Sequence, residues 1–276
     1  MRNTLLVKKE AKEKLKNKWS VGIAISGLVL GMFFGLLSVS SVIGPLFLPT
    51  LGEFGATFIS LIPIFLLWQF LCVPLLYGIL RFAWYTALGS DIPFFEVFYY
   101  LENGYNYIRS ISLGFRIFIR IVLIIAACFA PSLIISAICT PKLYDLLGVS
   151  MPYFVSSLWA LQNVLEIFGI TISVILLMRY FTAPILLINN QNLCPQEALN
   201  LSVIISKYAN GHTFGFLFSF VGWAILSVFI LPLLYTIPLF LVSYSLHCKY
   251  LIDNYNRIVD FENSKIYPNY EPQSFM

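Results

Sequence analysis

The chain contains very little charge. Of its 276 residues only 11% are Asp, Glu, Lys or Arg, whereas 59% are hydrophobic and the mean hydropathy is +0.84. Soluble domains carry about 25% charged and about 45–50% apolar residues. The composition therefore excludes a soluble domain, a disordered chain and a disulfide-rich secreted module, and it indicates a protein that spans a membrane several times.

Residues that bind metals or perform catalysis are also scarce. The five cysteines are widely spaced and the two histidines stand alone, so the sequence has neither a zinc-binding spacing nor a redox pair. It also lacks a P-loop, a dinucleotide-binding fingerprint and a nucleophile elbow. A net charge of +4 is too small to indicate nucleic-acid binding. We therefore expect a protein that is not an enzyme, with no cofactor and no metal.

Long apolar runs predict six transmembrane helices, each needing about 20 residues. The last run is long enough for two spans, and Pro232 and Pro238 mark the predicted turn between them because proline disrupts helices. The overlong fourth run leaves five or seven spans open. The expected fold class is all-α, a polytopic bundle with amphipathic helices at the membrane surface. The runs are 21–43, 54–80, 121–141 (beginning earlier, near residue 111), 152–188 and 208–248.

The basic residues predict the orientation. With six spans, 16 of the 17 Lys and Arg residues fall on one side and only Lys142 falls on the other. Cytoplasmic loops carry the excess of basic residues. We therefore expect a multi-pass protein of the cell membrane with both termini in the cytoplasm.

The N-terminal region predicts a helix that lies on the membrane. Val7, Ala11, Leu15 and Trp19 form an apolar stripe between lysines. The lysines could set topology or recognise a lipid or partner. The expected organisation is a basic amphipathic helix in residues 1–20, a membrane domain in 21–252 and a flexible cytoplasmic tail in 253–276.

Several short motifs resemble a known family. They are the stretch 197–202 (EALNLS), then Gly211 and 219–223 (SFVGW), with further matches at Ala11, Leu15, 17–19 (NKW) and 74–78 (PLLYG). These residues are similar to an uncharacterised bacterial integral membrane family, the domain of unknown function 975, which is common in Gram-positive bacteria. The family has basic residues after the glycine matched by Gly211, where this chain has His212 and Thr213, and a glycine-rich turn between the last two spans, where this chain has prolines. The resemblance implies a multi-span bacterial inner-membrane protein and no particular activity.

A polar group within the fourth span is the first candidate site. Gln162, Asn163 and Glu166 share one helix face, and Glu166 lies roughly 20 Å from the cytoplasmic end of the span. A carboxylate at that depth is costly and should be protonated, paired or directed into the bundle. It could serve as a proton or cation site, or as a hydrogen bond that holds helices together.

Basic residues near the cytoplasmic helix ends form the second candidate site. They could extend to the membrane surface and only set topology, or they could form a pocket for the headgroup of an anionic lipid. The residues are Arg81, Arg109, Arg116, Arg120 and Arg179.

Small residues recur in the first span. Gly27, Gly31 and Gly35 lie four residues apart, a spacing that permits close approach of another helix. Both dimerisation and packing within the bundle fit this pattern, and the number of spans favours internal packing.

The functional expectation is a non-enzymatic membrane component. Its expected partners are the lipid bilayer, anionic lipids of the cytoplasmic leaflet and a membrane protein. The alternative is a transporter of a small solute or lipid that uses Glu166. Similar cytoplasmic connections at 91–104 and 193–211, each with a proline before a carboxylate, suggest a repeated unit, as transporters often have.

Overall fold

The structure, a computed structural model, describes residues 4–138, 152–207 and 210–266. All regular elements in these ranges are helical. A π-helical turn (Trp68–Cys72) joins the second and third α-helices, and two 3-10 turns occupy Phe94–Phe98 and Met178–Tyr180. The α-helices are α1 (Thr4–Leu15), α2 (Trp19–Leu67), α3 (Val73–Leu88), α4 (Tyr99–Glu102), α5 (Gly104–Ile138), α6 (Pro152–Leu177), α7 (Ala183–Asn189), α8 (Pro195–Lys207), α9 (Asn210–Phe218), α10 (Val221–Leu226) and α11 (Ile230–Ile266).

Five helical stretches of the described residues are long and apolar enough to cross a membrane, so the chain is a multi-pass membrane protein. The predicted fifth span does not form one long helix. It is divided into α9 and α10, and its apolar part, Gly211–Leu226, is shorter than the other five. Those five are Trp19–Ile43, Leu61–Leu88, Gly104–Ser136, Leu158–Asn189 and Leu231–Phe261.

The first two span candidates run in opposite directions. Lys18, just before α2, contacts the carbonyl oxygen of Ser90 (2.6 Å) and the carboxylate of Asp91 (2.7 Å), just after α3. Ile25 and Ile79 belong to one buried cluster. A straight helix over residues 19–88 would be about 105 Å long and would separate these contacts, so the chain reverses direction within this segment.

Helices α5 and α6 form a second antiparallel pair. Ser132 of α5 donates to Glu166 of α6, and a β-carbon on Gly169 would lie 3.0 Å from the carbonyl oxygen of Cys128. Only 6% of the most apolar stretch of Gly104–Ser136 is buried, so α5 exposes apolar side chains over most of this stretch. In a membrane these side chains contact lipid.

Helix α11 contradicts the predicted turn at Pro232 and Pro238. Both prolines lie inside the helix, and the turn that precedes it covers residues 227–229. Pro232 lies in the first helical turn, where its missing N–H is not needed. Pro238 cannot donate to the carbonyl oxygen of Leu234, but the hydroxyl of Ser26 donates to that oxygen instead, at 3.2 Å.

Helix α1 forms where the sequence predicted a helix, but its apolar stripe contacts protein. Val7, Ala11 and Leu15 belong to the main buried cluster, and Trp19 stacks on Tyr235 with ring centroids 4.8 Å apart. The stripe is therefore covered by the bundle and does not face the membrane.

The C-terminal boundary also differs from the prediction. Residues 253–266, predicted to be part of a flexible tail, continue α11. The remaining part of the predicted tail, residues 267–276, and Lys142 lie outside the described residues.

The close helix approaches involve other glycines than those predicted. Gly27, Gly31 and Gly35 are exposed, and no described atom lies within 4 Å of where their β-carbons would be. The number of spans favoured packing of this stripe inside the bundle. For the described residues, that prediction is wrong. Instead, a β-carbon on Gly22 would lie 2.9 Å from Cβ of Pro238, and one on Gly78 would overlap the backbone of Val97.

Candidate functional site

Arg81 is held by the connection between α3 and α5. Its Nε lies 3.1 Å from the carboxylate of Glu96, and its guanidinium lies 3.8 Å from the ring centre of Tyr99. Burial raises the pKa of the adjacent Tyr100 to about 12, although the positive charges of Arg81 and Arg109 act in the opposite direction. The guanidinium of Arg81 thus stabilises the connection and is already neutralised by a carboxylate.

Arg109 is buried and caps the C-terminal end of α7. It is 5% exposed, and it donates to the backbone carbonyls of Asn190 (3.1 Å) and Leu193 (2.7 Å). Carbonyls at a helix C-terminus lack partners within the helix and carry partial negative charge, so a cation stabilises them. Arg109 is a structural residue, and its guanidinium is not available to a lipid headgroup.

The other three arginines lie where α5, the 3-10 turn Met178–Tyr180 and α8 meet. Arg116 is exposed and donates to Gln196 at the start of α8 (2.7 Å) and to Ser112 (3.4 Å). The guanidinium of Arg120 lies 5.3 Å from the ring centre of Tyr180. Arg179 is exposed next to Tyr180. Within the described part of the chain, the partners of Arg116 and Arg120 are neutral, so no carboxylate there neutralises either guanidinium.

An open apolar groove lies beside this arginine group. It has a volume of about 480 Å³ and runs between α5 and the π-helical turn. Ser112 lines the groove and also accepts the hydrogen bond from Nε of Arg116. The guanidinium of Arg116 therefore lies at the border of the groove. The lining residues are Phe65, Gln69, Phe70, Tyr107, Ile108, Ile111, Ser112 and Phe115.

Sequence reasoning missed the groove and its one buried amide. Gln69 is 2% exposed, and its Nε2 donates to the carbonyl oxygen of Ile111 at 2.8 Å. Its Oε1 is buried and has no hydrogen-bond partner among the residues that the structure describes. The only signal in the sequence is that Gln69 is the single side-chain amide in the apolar run 54–80.

The polar group in the fourth span is a hydrogen-bonded link between α5 and α6. Oε1 of Glu166 accepts bonds from Ser132 (3.1 Å) and from Gln162 (3.0 Å). Asn163 is exposed and takes no part in these bonds. The prediction that Gln162 and Glu166 share a face holds in the geometry, and Ser132 is the partner that the sequence did not reveal.

Comparison with known proteins gives no relative. No family model matches the chain, and neither a curated protein nor a solved structure matches it. The functional interpretation of the site therefore depends on its geometry alone.

Proposed function

We propose that this protein is a non-enzymatic membrane component that binds anionic phospholipid at the cytoplasmic leaflet. The observation that carries the proposal is the position of Arg116 at the border of an apolar groove, with Ser112 common to both. A phospholipid has the same arrangement, a charged headgroup next to an apolar chain. Basic groups near an anionic leaflet contribute about 1 kcal/mol each.

The groove is accessible from the apolar side of the protein. Ile108 is 68% exposed and Phe115 is 44% exposed, and both line the groove. The side chains of Arg116 and Arg120 lie on an adjacent face of α5, toward Gln196 and Tyr180. Helix α5 thus offers lipid an apolar face and a cationic edge, which supports a lipid ligand over a water-soluble one.

The proposed topology has six crossings with both termini in the cytoplasm of a bacterial cell. It rests on the placement of 16 of 17 basic residues on one side of six spans and on the resemblance to the domain of unknown function 975. In this arrangement α9 and α10 together form the fifth crossing. Their apolar part is short for the hydrocarbon core, which a locally thinner bilayer or flanking residues can accommodate.

The lipid proposal is tested by replacing Arg116 and Arg120 with glutamine. The full-length protein is reconstituted in nanodiscs with a fixed fraction of anionic phospholipid, and lipid retained on release is counted by native mass spectrometry. We expect a loss of roughly tenfold or more in retained anionic lipid, because two cationic contacts are removed, and no change for phosphatidylcholine.

Arg257→Gln is the matched control, because Arg257 is exposed on α11, an element that does not line the groove. It should leave lipid retention unchanged. Equal retention of anionic lipid by the wild type and the double variant would overturn the proposal.

Topology is tested with single cysteines on a background without the native ones. Cysteines at Ser90, Asn192 and Val228 are labelled with a membrane-impermeant reagent in intact cells and in inverted vesicles. Six crossings place Ser90 and Asn192 on the cytoplasmic side and Val228 on the other side. Labelling of Val228 together with Ser90 would show that α9 and α10 do not cross.

The transporter alternative has weaker support. Both acceptor bonds of Glu166 stay within the α5–α6 pair. The groove and a second cavity, of about 260 Å³ between α7, α8 and α11, are lined by other residues.

A further inference from the structure

The cavity between α7, α8 and α11 has an apolar floor. Its volume is about 260 Å³, and it shares no lining residue with the groove of the proposed lipid site. Its most buried lining residues are apolar, namely Leu186 of α7, Ile205 of α8 and Ile252 of α11. We call these three residues the floor of the cavity. Surfaces of this kind accommodate the apolar part of a small ligand.

The polar residues that line the cavity are more exposed than the floor. Asn189 and Asn190, at the end of α7, are exposed, and Asn256 and Asp260 of α11 are partly exposed. We call these four residues the rim. A ligand can therefore contact polar groups at the rim, which water also reaches, while its apolar part lies against the floor. Small-molecule sites commonly combine mostly apolar walls with a few polar groups in this way.

Hydrogen bonds hold one side of the rim in place. Arg109 donates to the carbonyl oxygens of Asn190 and Leu193, and Leu193 also lines the cavity. Oδ1 of Asn190 accepts a hydrogen bond from the backbone N–H of Asn192 at 3.0 Å. The connection between α7 and α8 is thus ordered before a ligand arrives, which lowers the entropic cost of binding.

Asp260 gives the rim a negative charge. Among the described residues that line the cavity, Asp260 alone carries a formal charge. The ion pairs within the described part of the chain use other carboxylates, those of Asp91 and Glu96. Arg257, about one turn before Asp260 on α11, is exposed and does not line the cavity. Because a carboxylate accepts hydrogen bonds and donates none, the rim favours a cationic group that donates, such as an ammonium group.

The size and position of the cavity favour a small, water-soluble ligand. Its volume lies below the range of about 300–1,000 Å³ that is typical for drug-sized ligands, so it cannot hold the two acyl chains of a phospholipid. The span candidate Leu231–Phe261 has 31 residues, or about 46 Å of helix, which exceeds a hydrocarbon core of about 30 Å. Its polar stretch, 253–257 (DNYNR), lies toward the C-terminal end, so this end of α11 extends into water.

We propose that this cavity binds a small, water-soluble amine. The ammonium group donates to the carboxylate of Asp260 and to the side-chain oxygen of Asn256, which lies one turn earlier on the same face of α11. The apolar part of the amine lies against the floor. This site is separate from the proposed lipid site and does not depend on it.

The test compares three probes that share a phenyl ring and differ in charge: 2-phenylethylammonium, 2-phenylethanol and phenylacetate. Their binding to the full-length protein in phosphatidylcholine nanodiscs is measured by isothermal titration calorimetry, with empty nanodiscs as the blank. We expect the ammonium to bind roughly tenfold more tightly than the alcohol, the size of one hydrogen bond to a charged group. Phenylacetate should bind more weakly than the alcohol, because its charge has the same sign as that of Asp260.

Three variants locate the binding. Asp260→Asn keeps the shape of the side chain, removes its charge and should bring the ammonium to the level of the alcohol. Asp253→Asn is the matched control, because Asp253 lies on the same helix and does not line the cavity, and it should keep the preference. Val259→Trp fills the cavity from its lining, leaves Asp260 in place and should weaken binding of both the ammonium and the alcohol.

The C-terminal residues 267–276 are a competing occupant. They contain no Lys or Arg and one acidic residue, Glu271, so their charge does not complement Asp260. A chain that ends at residue 266 should therefore bind the probes as the full-length chain does. Binding of the ammonium by the shortened chain alone would assign the cavity to the C-terminal residues and overturn the proposal.

The remaining outcomes are equally decisive. Equal affinity of the wild type for the ammonium and the alcohol, an unchanged preference in Asp260→Asn, or unchanged binding by Val259→Trp overturns the proposal. Replacing part of the phosphatidylcholine with phosphatidylethanolamine should leave the affinity for the ammonium probe unchanged. A loss of affinity there would show that a lipid headgroup occupies the cavity and would overturn the assignment to a water-soluble amine.

Discussion

Pro238 shows how a single residue can mislead sequence reasoning. Proline predicts a turn because its nitrogen has no hydrogen to donate. The effect on the helix depends on whether a neighbour replaces the lost bond. Ser26 does so from α2, and Gly22 leaves the space for the proline ring. Both residues are more than 200 positions away in the sequence, so no local pattern could have shown that α11 continues through the proline.

The close contact at Gly22 predicts a position-specific cost on α2. Gly22→Val should lower the free energy of unfolding by about 1–3 kcal/mol, because the added methyl groups collide with Pro238. Gly27→Val is the matched control on the same helix, and we expect no loss there because the space is open. Thermal unfolding in detergent, followed by tryptophan fluorescence, compares the two. A similar loss in both variants would show that helix flexibility matters more than the contact.

Glu166 is predicted to act as a hydrogen-bond acceptor between α5 and α6. Glu166→Gln keeps a carbonyl oxygen for Ser132 and Gln162 and should leave stability within about 0.5 kcal/mol of the wild type. Glu166→Leu leaves both donors without a partner and should cost about 1–3 kcal/mol. Thermal unfolding in detergent measures both. Equal losses for the two variants would point to a role for the negative charge.

At the scale of elements, the uncharged runs predicted the helices correctly where one run corresponds to one helix. The prediction failed where tertiary contacts divide a run. The break between α9 and α10 lies at Ser219 and Phe220, and Lys8 reaches it from α1. The ammonium group donates to the carbonyl oxygen of Ser219 at 2.5 Å and lies 4.0 Å from the ring centre of Phe220. A cation can satisfy a carbonyl that a broken helix leaves free, but its distance in sequence hides this role.

Lys8→Met should loosen the break between α9 and α10. The variant keeps the length of the side chain and loses the bond to Ser219 and the contact with Phe220, so we expect a destabilisation of about 1–2 kcal/mol. Hydrogen exchange should increase in residues 216–222. Lys9→Met, at an exposed position on the same helix, is the control and should change neither quantity.

The same variant has a predicted pH dependence. Burial lowers the pKa of Lys8 below its ordinary value. Between that lowered pKa and the ordinary value the unfolded chain binds more protons, so this residue makes stability rise with pH there and adds no slope well below that window. The wild type should gain stability relative to Lys8→Met as the pH increases through the window. A constant difference between the two would contradict the shift.

For the whole molecule, the sequence predicted an all-helical membrane protein but not which helices meet. Composition and run length are local properties, and they were sufficient for the class. The contacts of α1 with α11, such as Tyr250 to Glu10 at 2.6 Å, join residues at opposite ends of the chain. The stripe of Val7, Ala11 and Leu15 is equally suited to lipid and to protein, so its partner could only be seen in the assembled fold.

The contact between the two ends of the chain predicts a dependence of α1 on α11. A chain that ends at residue 229 should expose α1 to limited proteolysis in detergent, whereas the full-length chain should protect it. A chain that ends at residue 261 keeps Tyr250 and Pro238 and should protect α1 as well. Protection of α1 in the shortest chain would mean that α3 and α10 hold it without α11.

The packing of Pro238 against Gly22 and Ser26 also determines the order in which helix contacts form during biosynthesis. Helices α1 and α2 are translated before the other described helices, whereas their partner α11 is translated after them. Until α11 is made, the hydroxyl of Ser26 can donate to Gly22 of its own helix but not to Leu234, and the apolar stripe of α1 lacks its contacts with α11. The contacts of α1 and α2 with α11 therefore form only after the intervening helices, α3 to α10, have been synthesised.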